Sequence, residues 1–122
     1  MKGIVVTTEN VIIVKDFEPP LYKSVGESVG GYIEIVRPTG LERPLVMIVN
    51  EEGLIKELPF NILGSMLYGT QYHGSPILGD IVIMQEGFTS EGPDITGIPE
   101  EAIDGILNQL FNIMLKIKGN MK

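Results

Sequence analysis

The sequence predicts an α+β fold, in which a mostly antiparallel sheet packs with two short helices and a long C-terminal amphipathic helix. Short β-branched and aliphatic runs are separated by turn signals, and strands and helices do not alternate regularly along the chain. The 122 residues fit one domain, and hydrophobic residues at 43% are enough to bury a core without disulfides or metals. We therefore expect residues 1–122 to form a single domain.

The chain opens with a predicted hairpin that leads to a short helix. Residues 3–7 and 11–15 are β-branched runs on either side of a polar turn, which is typical of two paired strands. Residues 21–29 follow two prolines and have apolar side chains at four-residue spacing. This pattern predicts a helix that ends at Gly30, because glycine readily adopts the left-handed conformation of a helix cap.

Two further strands and a tight turn are predicted next. Residues 32–37 and 45–49 predict strands, and the sequence Asn-Glu-Glu-Gly after the second strand predicts a turn. Gly53 is expected to supply a positive φ in this turn, and the Asn50 side chain is expected to bond back to the turn backbone. Residues 54–57 would then return as a short strand.

The middle of the chain predicts a helix, a strand and a loop. A helix over 61–68 would end at Gly69 and bury one face, formed by Ile62, Leu63, Met66 and Leu67. The continuous apolar run 81–84 predicts a strand in the centre of the sheet. Residues 86–97 include three glycines, one proline and few core candidates, so we expect a mobile surface loop there.

The last predicted element is a helix over 99–118. A proline and two glutamates suit its first turn, two lysines suit its last turn, and Gly119 is expected to end it. Phe111 and Leu115 add apolar surface toward the side opposite a broad apolar stripe, which consists of Ile103, Ile106, Leu107, Leu110, Ile113, Met114 and Ile117. Burial by the sheet and loops would explain this width, and so would a homo-oligomer formed through the C-terminal helix.

Composition excludes several classes of protein. The chain has no Cys, which excludes thiol catalysis, disulfides and Cys-ligated zinc, and His73 is its only His, which excludes a His-rich metal site. The formal charge of −7 opposes direct binding to nucleic acid or to an anionic membrane. The amino-terminal segment reaches a charged residue too soon to form the apolar core of a signal peptide, and the apolar runs are too short to span a bilayer, so we expect a cytoplasmic protein.

The glycines and acidic pairs are better explained by structure than by catalysis. Residues 26–31 have the glycine content of a phosphate loop, but they end a predicted helix, whereas a phosphate loop begins one. Glu51 and Glu52 are adjacent in sequence, so they do not share a face and make a poor acid–base pair. No nucleophile elbow, dinucleotide fingerprint or zinc spacing occurs. We therefore predict a protein that is not an enzyme, with no catalytic residues, metal or cofactor.

The few positive charges and the tyrosines predict a ligand site. Arg37 and Arg43 flank the connection between two predicted strands, and arginine is suited to bidentate capture of phosphate or carboxylate. Tyr32, Tyr68 and Tyr72 would supply stacking surfaces for a nucleotide base. If these five side chains converge, they form a pocket for a small anionic ligand. The alternative is that they are ordinary surface arginines and core aromatics.

One series of motifs resembles a known family. Its parts are Gly-Gly-Tyr-Ile-Glu, Asn-Glu-Glu-Gly, Leu-Pro-Phe-Asn and Gly-Asp-Ile-Val-Ile, in that order within residues 21–84. This series resembles a family of small bacterial proteins of unknown function that are common in phages, prophages and plasmids. The resemblance implies a mobile-element origin, and it supplies no catalytic or binding residues.

Two main hypotheses for function follow. In the first, the chain is a non-catalytic phage or mobile-element accessory protein that binds a small anionic ligand, such as a nucleotide signal of host defence, in a pocket completed by oligomerisation. In the second, its acidic surface or its apolar last helix inhibits a host protein by binding it. A third class is a hydrolase without a recognised motif. The link from a mobile element to these functions is an analogy with other small phage proteins.

Overall fold

The computed structural model describes residues 1–70, 74–90 and 92–120. Within these residues the chain forms six strands and three helices. In chain order they are β1 (Lys2–Val6), β2 (Ile12–Asp16), α1 (Leu21–Val29), β3 (Ile33–Val36), β4 (Leu45–Asn50), α2 (Ile62–Tyr68), β5 (Ile81–Thr89), β6 (Gly92–Thr96) and α3 (Glu100–Asn120). The predicted α+β class, with two short helices and a long C-terminal helix, is confirmed.

The strand pairs of the sheet are all antiparallel within the described chain. The strand order is β2-β1-β5-β4-β3, and β6 pairs with the second half of β5. Gln85 of β5 lies opposite Leu45 on one side and Thr96 on the other, so β6 continues the line of β1 along the same edge of β5. The opening hairpin is confirmed, and among the described strands β2, β3 and β6 each pair along one edge only.

The central strands are buried on both faces, which explains the continuous apolar run in β5. Alternate residues of β1, β4 and β5 enter two separate cores, because successive side chains of a strand point to opposite faces. The core on the side of α2 and α3 includes Ile4, Met47, Leu63, Ile83 and Leu110. The core on the side of α1 includes Phe17, Val25, Ile48, Val82 and Met84. The predicted central position of β5 is confirmed.

The prediction of a mobile loop over 86–97 is wrong. Within the described part of this segment, residues 86–89 belong to β5 and residues 92–96 form its partner β6, with Glu86 opposite Ile95. Ile95 is buried in the core on the side of α1. Glycine and proline lower the strand propensity of this segment, but strand formation depends more on cross-strand packing than on propensity.

The turn after β4 differs in part from its prediction. The Asn50 side chain does bond back to the turn, since its Oδ1 accepts a hydrogen bond from the Glu52 amide at 2.8 Å. The strand predicted over 54–57 is wrong, because residues 51–57 form successive turns. The Lys56 amide, for example, donates to the Glu52 carbonyl at 2.9 Å, which is a helix-like contact that an extended strand does not make.

Glycine has different roles at the predicted turn and caps. Gly30 and Gly69 cap α1 and α2 with φ of 89° and 91°, as predicted. Gly53 does not adopt a positive φ, so that prediction is wrong, and the positive φ of this segment occurs at Glu57. Glycine suits position 53, because a Cβ there would lie 3.3 Å from the Leu78 carbonyl oxygen, closer than an ordinary van der Waals contact.

The buried face of α2 is also corrected. Leu63 and Leu67 are fully buried as predicted, but Met66 is 41% exposed. The buried side of the helix includes Ser65 instead, whose Oγ accepts a hydrogen bond from the Ile77 amide at 2.9 Å. A polar side chain can occupy this position because the hydrogen bond compensates for its burial.

The last helix is longer than predicted and only partly covered. It continues to Asn120, so the prediction that Gly119 ends it is wrong; an interior glycine costs a helix only about 1 kcal/mol. Ile103, Ile106 and Leu110 are buried, whereas Phe111 and Leu115 are exposed. Among the described helices, none is both long and apolar enough to cross a membrane.

Candidate functional site

The side chains predicted to bind a ligand lie at separate places. Tyr32 and Arg37 lie just beyond opposite ends of β3, and five steps of extended chain separate them by about 16 Å. Arg37 forms an ion pair with Glu86 of β5, so a carboxylate already neutralises its guanidinium. The structure does not bring Arg37 and Tyr32 together.

The other predicted residues do not complete a common pocket either. Arg43 is exposed in the connection between β3 and β4 and forms no ion pair with the described residues. Tyr68 lines a cavity of about 450 Å³ together with Glu34, on the side of the sheet opposite α1. Tyr32 lines a different cavity beside α1, and neither arginine contributes to either cavity. Tyr72 lies outside the described residues.

The cavity that includes Tyr32 lies between α1 and β3. Its volume is about 560 Å³, and its walls include Tyr22, Glu27, Tyr32, Ile33 and Glu51. Tyr22 is 71% exposed and Tyr32 is 74% exposed, so both aromatic rings are accessible. Two exposed tyrosines and two exposed carboxylates therefore surround one space.

Close contacts at the end of α1 fix the shape of this cavity. A Cβ at Gly26 would lie 2.9 Å from the Gly31 carbonyl oxygen, so the chain after the helix passes directly against the helix. The buried Asn50 side chain donates to the Val29 carbonyl at 3.0 Å and thereby joins the end of α1 to the end of β4. These contacts hold the C-terminal end of α1, which is the negative end of its dipole, at the cavity.

A second cavity adjoins the first at Tyr22 and Ile33. Its volume is about 550 Å³, and its walls also include Phe88, Asp94 and the two prolines before α1. Phe88 is 81% exposed and adds a third accessible aromatic ring. We refer to the two adjoining cavities together as the α1–β3 groove.

Acidic side chains outnumber basic ones along the α1–β3 groove. Its walls include the carboxylates of Glu27, Glu51 and Asp94 and two ammonium groups, the Lys23 side chain and the α-amino group of Met1, which donates to the Phe17 carbonyl at 3.0 Å. The described residues contain no group of three His, Cys, Asp or Glu side chains that could hold a metal ion. Carboxylates outnumber the ammonium groups of the groove walls by one, which is compatible with a positively charged ligand.

The outer edge of β3 lies beside the groove and is free. Tyr32 and Glu51 lie opposite each other, and the Glu51 amide donates to the Tyr32 carbonyl at 2.9 Å. Hydrogen bonding alternates along an antiparallel pair, so Ile33 and Ile35 turn their N–H and C=O groups away from β4. No described strand pairs with this outer edge. The backbone groups of two residues are thus available for a further strand.

Comparison with known proteins assigns the chain to a family. Residues 1–111 match the family described as a Domain of unknown function (DUF3846). The chain belongs to this family. The DUF3846 match extends beyond residues 21–84, where the resemblance lies, to the opening hairpin and the first half of α3. The prediction of a family of unknown function is confirmed. A search of the curated proteins and a search of the solved structures give no match.

Several groove residues of this DUF3846 domain were not predicted as site residues. Of the three aromatic residues of the groove, Tyr22, Tyr32 and Phe88, only Tyr32 was predicted to bind a ligand. Tyr22 lies on α1 away from its apolar stripe. A large aromatic side chain on the polar side of a predicted helix indicates an exposed interaction surface. Phe88 lay in the segment expected to be a loop. Glu51 was interpreted as a solvated turn residue, because the sequence does not show that it lies near Glu27.

Proposed function

We propose that this DUF3846 protein functions by binding a partner protein, an extended and basic segment of which lies along β3 and in the α1–β3 groove. The observation that supports this proposal is the free edge of β3 beside two adjoining cavities with aromatic and acidic walls. The proposal develops the hypothesis of an acidic protein that inhibits a host factor by occupying it.

Strand addition would supply the backbone part of this binding. A partner strand would exchange hydrogen bonds with the outward N–H and C=O groups of Ile33 and Ile35. Ile35 is 43% exposed and offers apolar contact to the added strand. The other described strands with an unpaired edge are poorer candidates. The charged Lys15 and Asp16 of β2 discourage edge-to-edge pairing, and β6 contains Pro93, which has no N–H to donate.

The groove would supply the preference for basic side chains. Lysine or arginine side chains of the partner would meet the accessible faces of Tyr22 and Tyr32, and each such contact contributes about 0.5–1 kcal/mol at an exposed site. Glu27 and Glu51 add electrostatic attraction at the same place. The net charge of −7 would also steer a basic partner toward the protein.

Peptide binding tests the proposal directly. The probes are two fluorescent octapeptides, one of alternating lysine and threonine and one of alternating glutamate and threonine, since every second side chain of an added strand faces the same side. Fluorescence anisotropy should show that the lysine peptide binds at least about tenfold more tightly than the glutamate peptide. Equal affinities would contradict a groove that selects basic segments.

A matched pair of charge reversals locates the binding. Glu51→Lys should weaken binding of the lysine peptide about tenfold, because it removes a carboxylate from the groove and adds a cation. Glu9→Lys changes the net charge equally, but Glu9 lies in the turn between β1 and β2, so affinity should stay within about twofold. If both variants weaken binding equally, the attraction comes from net charge and the groove has no role.

A second candidate function retains the small anionic ligand. Arg43 supports it, because this arginine is exposed and forms no ion pair with the described residues, whereas Arg37 is paired with Glu86. Stabilisation by a nucleotide in a thermal-shift experiment, lost in Arg43→Gln, would favour this candidate. Absence of any shift at millimolar nucleotide would remove it.

The biological setting is also part of the proposal. We propose a non-catalytic accessory protein of a phage or other mobile element that acts in the bacterial cytoplasm and inhibits a host protein. The order of sequence motifs supports this setting, and family membership is compatible with it. Capture from host lysate by the wild-type protein, but not by Glu51→Lys, would identify the partner and test the setting at once.

A further inference from the structure

The second half of α3 is poorly covered by the rest of the domain. Ile103, Ile106 and Leu110 are buried under the helix, but none of the described side chains from 111 to 119 is buried. Phe111 is 46% exposed and Leu115 is 65% exposed, and their four-residue spacing places them on one side of the helix. The helix thus presents an apolar surface on a side that does not face the core.

This apolar surface has an acidic end and a basic end. Asp104, Phe111 and Lys118 are spaced by seven residues, which is close to two turns, so the three side chains lie in one row along α3. All three are exposed, and neither charged residue forms an ion pair with the described residues. We define the α3 row as Asp104, Phe111, Leu115 and Lys118.

We infer that a second copy of this chain covers the α3 row, with the two α3 helices antiparallel and related by a two-fold axis at Phe111. Asp104 and Lys118 lie at equal distances from Phe111, about 10.5 Å along the helix in opposite directions. The two-fold axis therefore brings Asp104 of one copy to the partner subunit's Lys118, and the same pair forms again by symmetry. Both phenylalanines then pack at the centre.

Charge complementarity selects this arrangement over others. A parallel pair of helices would place Asp104 beside the partner's Asp104 and Lys118 beside the partner's Lys118, which is repulsive at both ends. A purely apolar partner would leave both charges without a counterion. In the antiparallel dimer each charged residue of the α3 row has a counterion, and the apolar centre of the row is covered by the same surface of the second copy.

The size of the row predicts a concentration-dependent dimer. The segment from Asp104 to Lys118 is about 21 Å of helix. A single short helix pair buries less than the roughly 1,000 Å² expected of a stable interface. We therefore expect monomer and dimer to exchange, with the dimer favoured at high protein concentration and low salt.

Sedimentation velocity over a series of rising concentrations tests this arrangement. The wild-type mass should rise from monomer to dimer, and Phe111→Glu should remain monomeric. Asp104→Lys and Lys118→Asp should each raise the dissociation constant about 3- to 30-fold, because two ion pairs per dimer become like-charge contacts. The double variant that carries both reversals should dimerise like the wild type, since the ion pairs re-form with opposite polarity.

Lys116→Asp is the matched control, because Lys116 is exposed on the same helical turn as Lys118 but lies away from the α3 row. It should leave the dissociation constant nearly unchanged. Wild-type protein that stays monomeric at every concentration would overturn the inference, and so would failure of the double reversal to restore the dimer. Circular dichroism of each variant checks that it is folded. Dimerisation through α3 is measured without any peptide, so its result is independent of peptide binding to β3.

Discussion

The side-chain amide of Asn50 donates a hydrogen bond to the carbonyl of Val29 at 3.0 Å, and this contact joins the last turn of α1 to the end of β4. The Oδ1 atom of the same side chain accepts a hydrogen bond from the Glu52 amide at 2.8 Å. Asn50 is only 5% exposed. One buried side chain therefore fixes the end of α1, which forms a wall of the α1–β3 groove, to the end of β4.

Replacement of Asn50 should destabilise the fold. Asn50→Ala should lower the free energy of unfolding by about 2–3 kcal/mol, because it leaves buried backbone groups without partners. Asn50→Asp keeps the acceptor for Glu52 but sets a carboxylate against the Val29 carbonyl, so the loss should be at least as large. Urea unfolding measures both. A fully stable Asn50→Asp variant would show that the amide donor is unimportant.

Asn61 should be more important than an ordinary helix cap. Its Oδ1 accepts from the Gly64 amide at 2.8 Å, and its Nδ2 donates to the Val6 and Gly79 carbonyls at 3.1 and 2.9 Å. Serine caps helices about as well as asparagine, so capping alone predicts little effect of Asn61→Ser. We expect a loss of about 2 kcal/mol in urea unfolding, because two buried carbonyls lose their donor. Wild-type stability of Asn61→Ser would refute this role.

Two glycine-to-alanine substitutions in helices should have opposite effects. At Gly105 of α3 nothing lies within 4 Å of the added Cβ, so alanine should stabilise the protein by about 0.5–1 kcal/mol. At Gly26 of α1 the Cβ would lie 2.9 Å from the Gly31 carbonyl oxygen, so alanine should destabilise it despite its higher helix propensity. Thermal unfolding of both variants checks the signs. A stabilising Gly26→Ala would mean that the end of α1 is not packed as described.

Adjacent residues of α3 should differ strongly in their contribution to folding. Leu110 is completely buried, and Leu110→Ala should cost about 2–5 kcal/mol. Phe111 is 46% exposed, and Phe111→Ala should change the free energy of unfolding by less than about 1 kcal/mol when it is measured at low protein concentration. Similar losses for the two variants would show that α3 is rotated relative to its described position.

Most helix boundaries and several strands could be predicted because their signals are local. Gly30 and Gly69 end helices through their left-handed φ, and Asn61 begins one through its side-chain oxygen. These effects depend on a few neighbouring residues, which the sequence displays directly. The end of α3 was missed because Gly119 merely lowers helix propensity and does not forbid the helix.

The hairpin of β5 and β6 and the candidate site could not be predicted in the same way. Glu86 pairs with Ile95 as part of a sheet whose other strands come from distant parts of the chain. The ion pair between Arg37 and Glu86 joins residues 49 positions apart, so the sequence gives no sign that this arginine is already neutralised. The groove depends in the same way on how α1 packs over β3, which is set by tertiary contacts.

Amide hydrogen exchange of β3 with and without the alternating lysine–threonine peptide tests the central claim most directly. Strand addition predicts that the amides of Ile33 and Ile35, which face outward, become strongly protected when the peptide binds. The amide of Glu34 faces β4 and should change little. Peptide binding that leaves the Ile33 and Ile35 amides as exposed as in the free protein would contradict the proposal that the partner binds at the edge of β3.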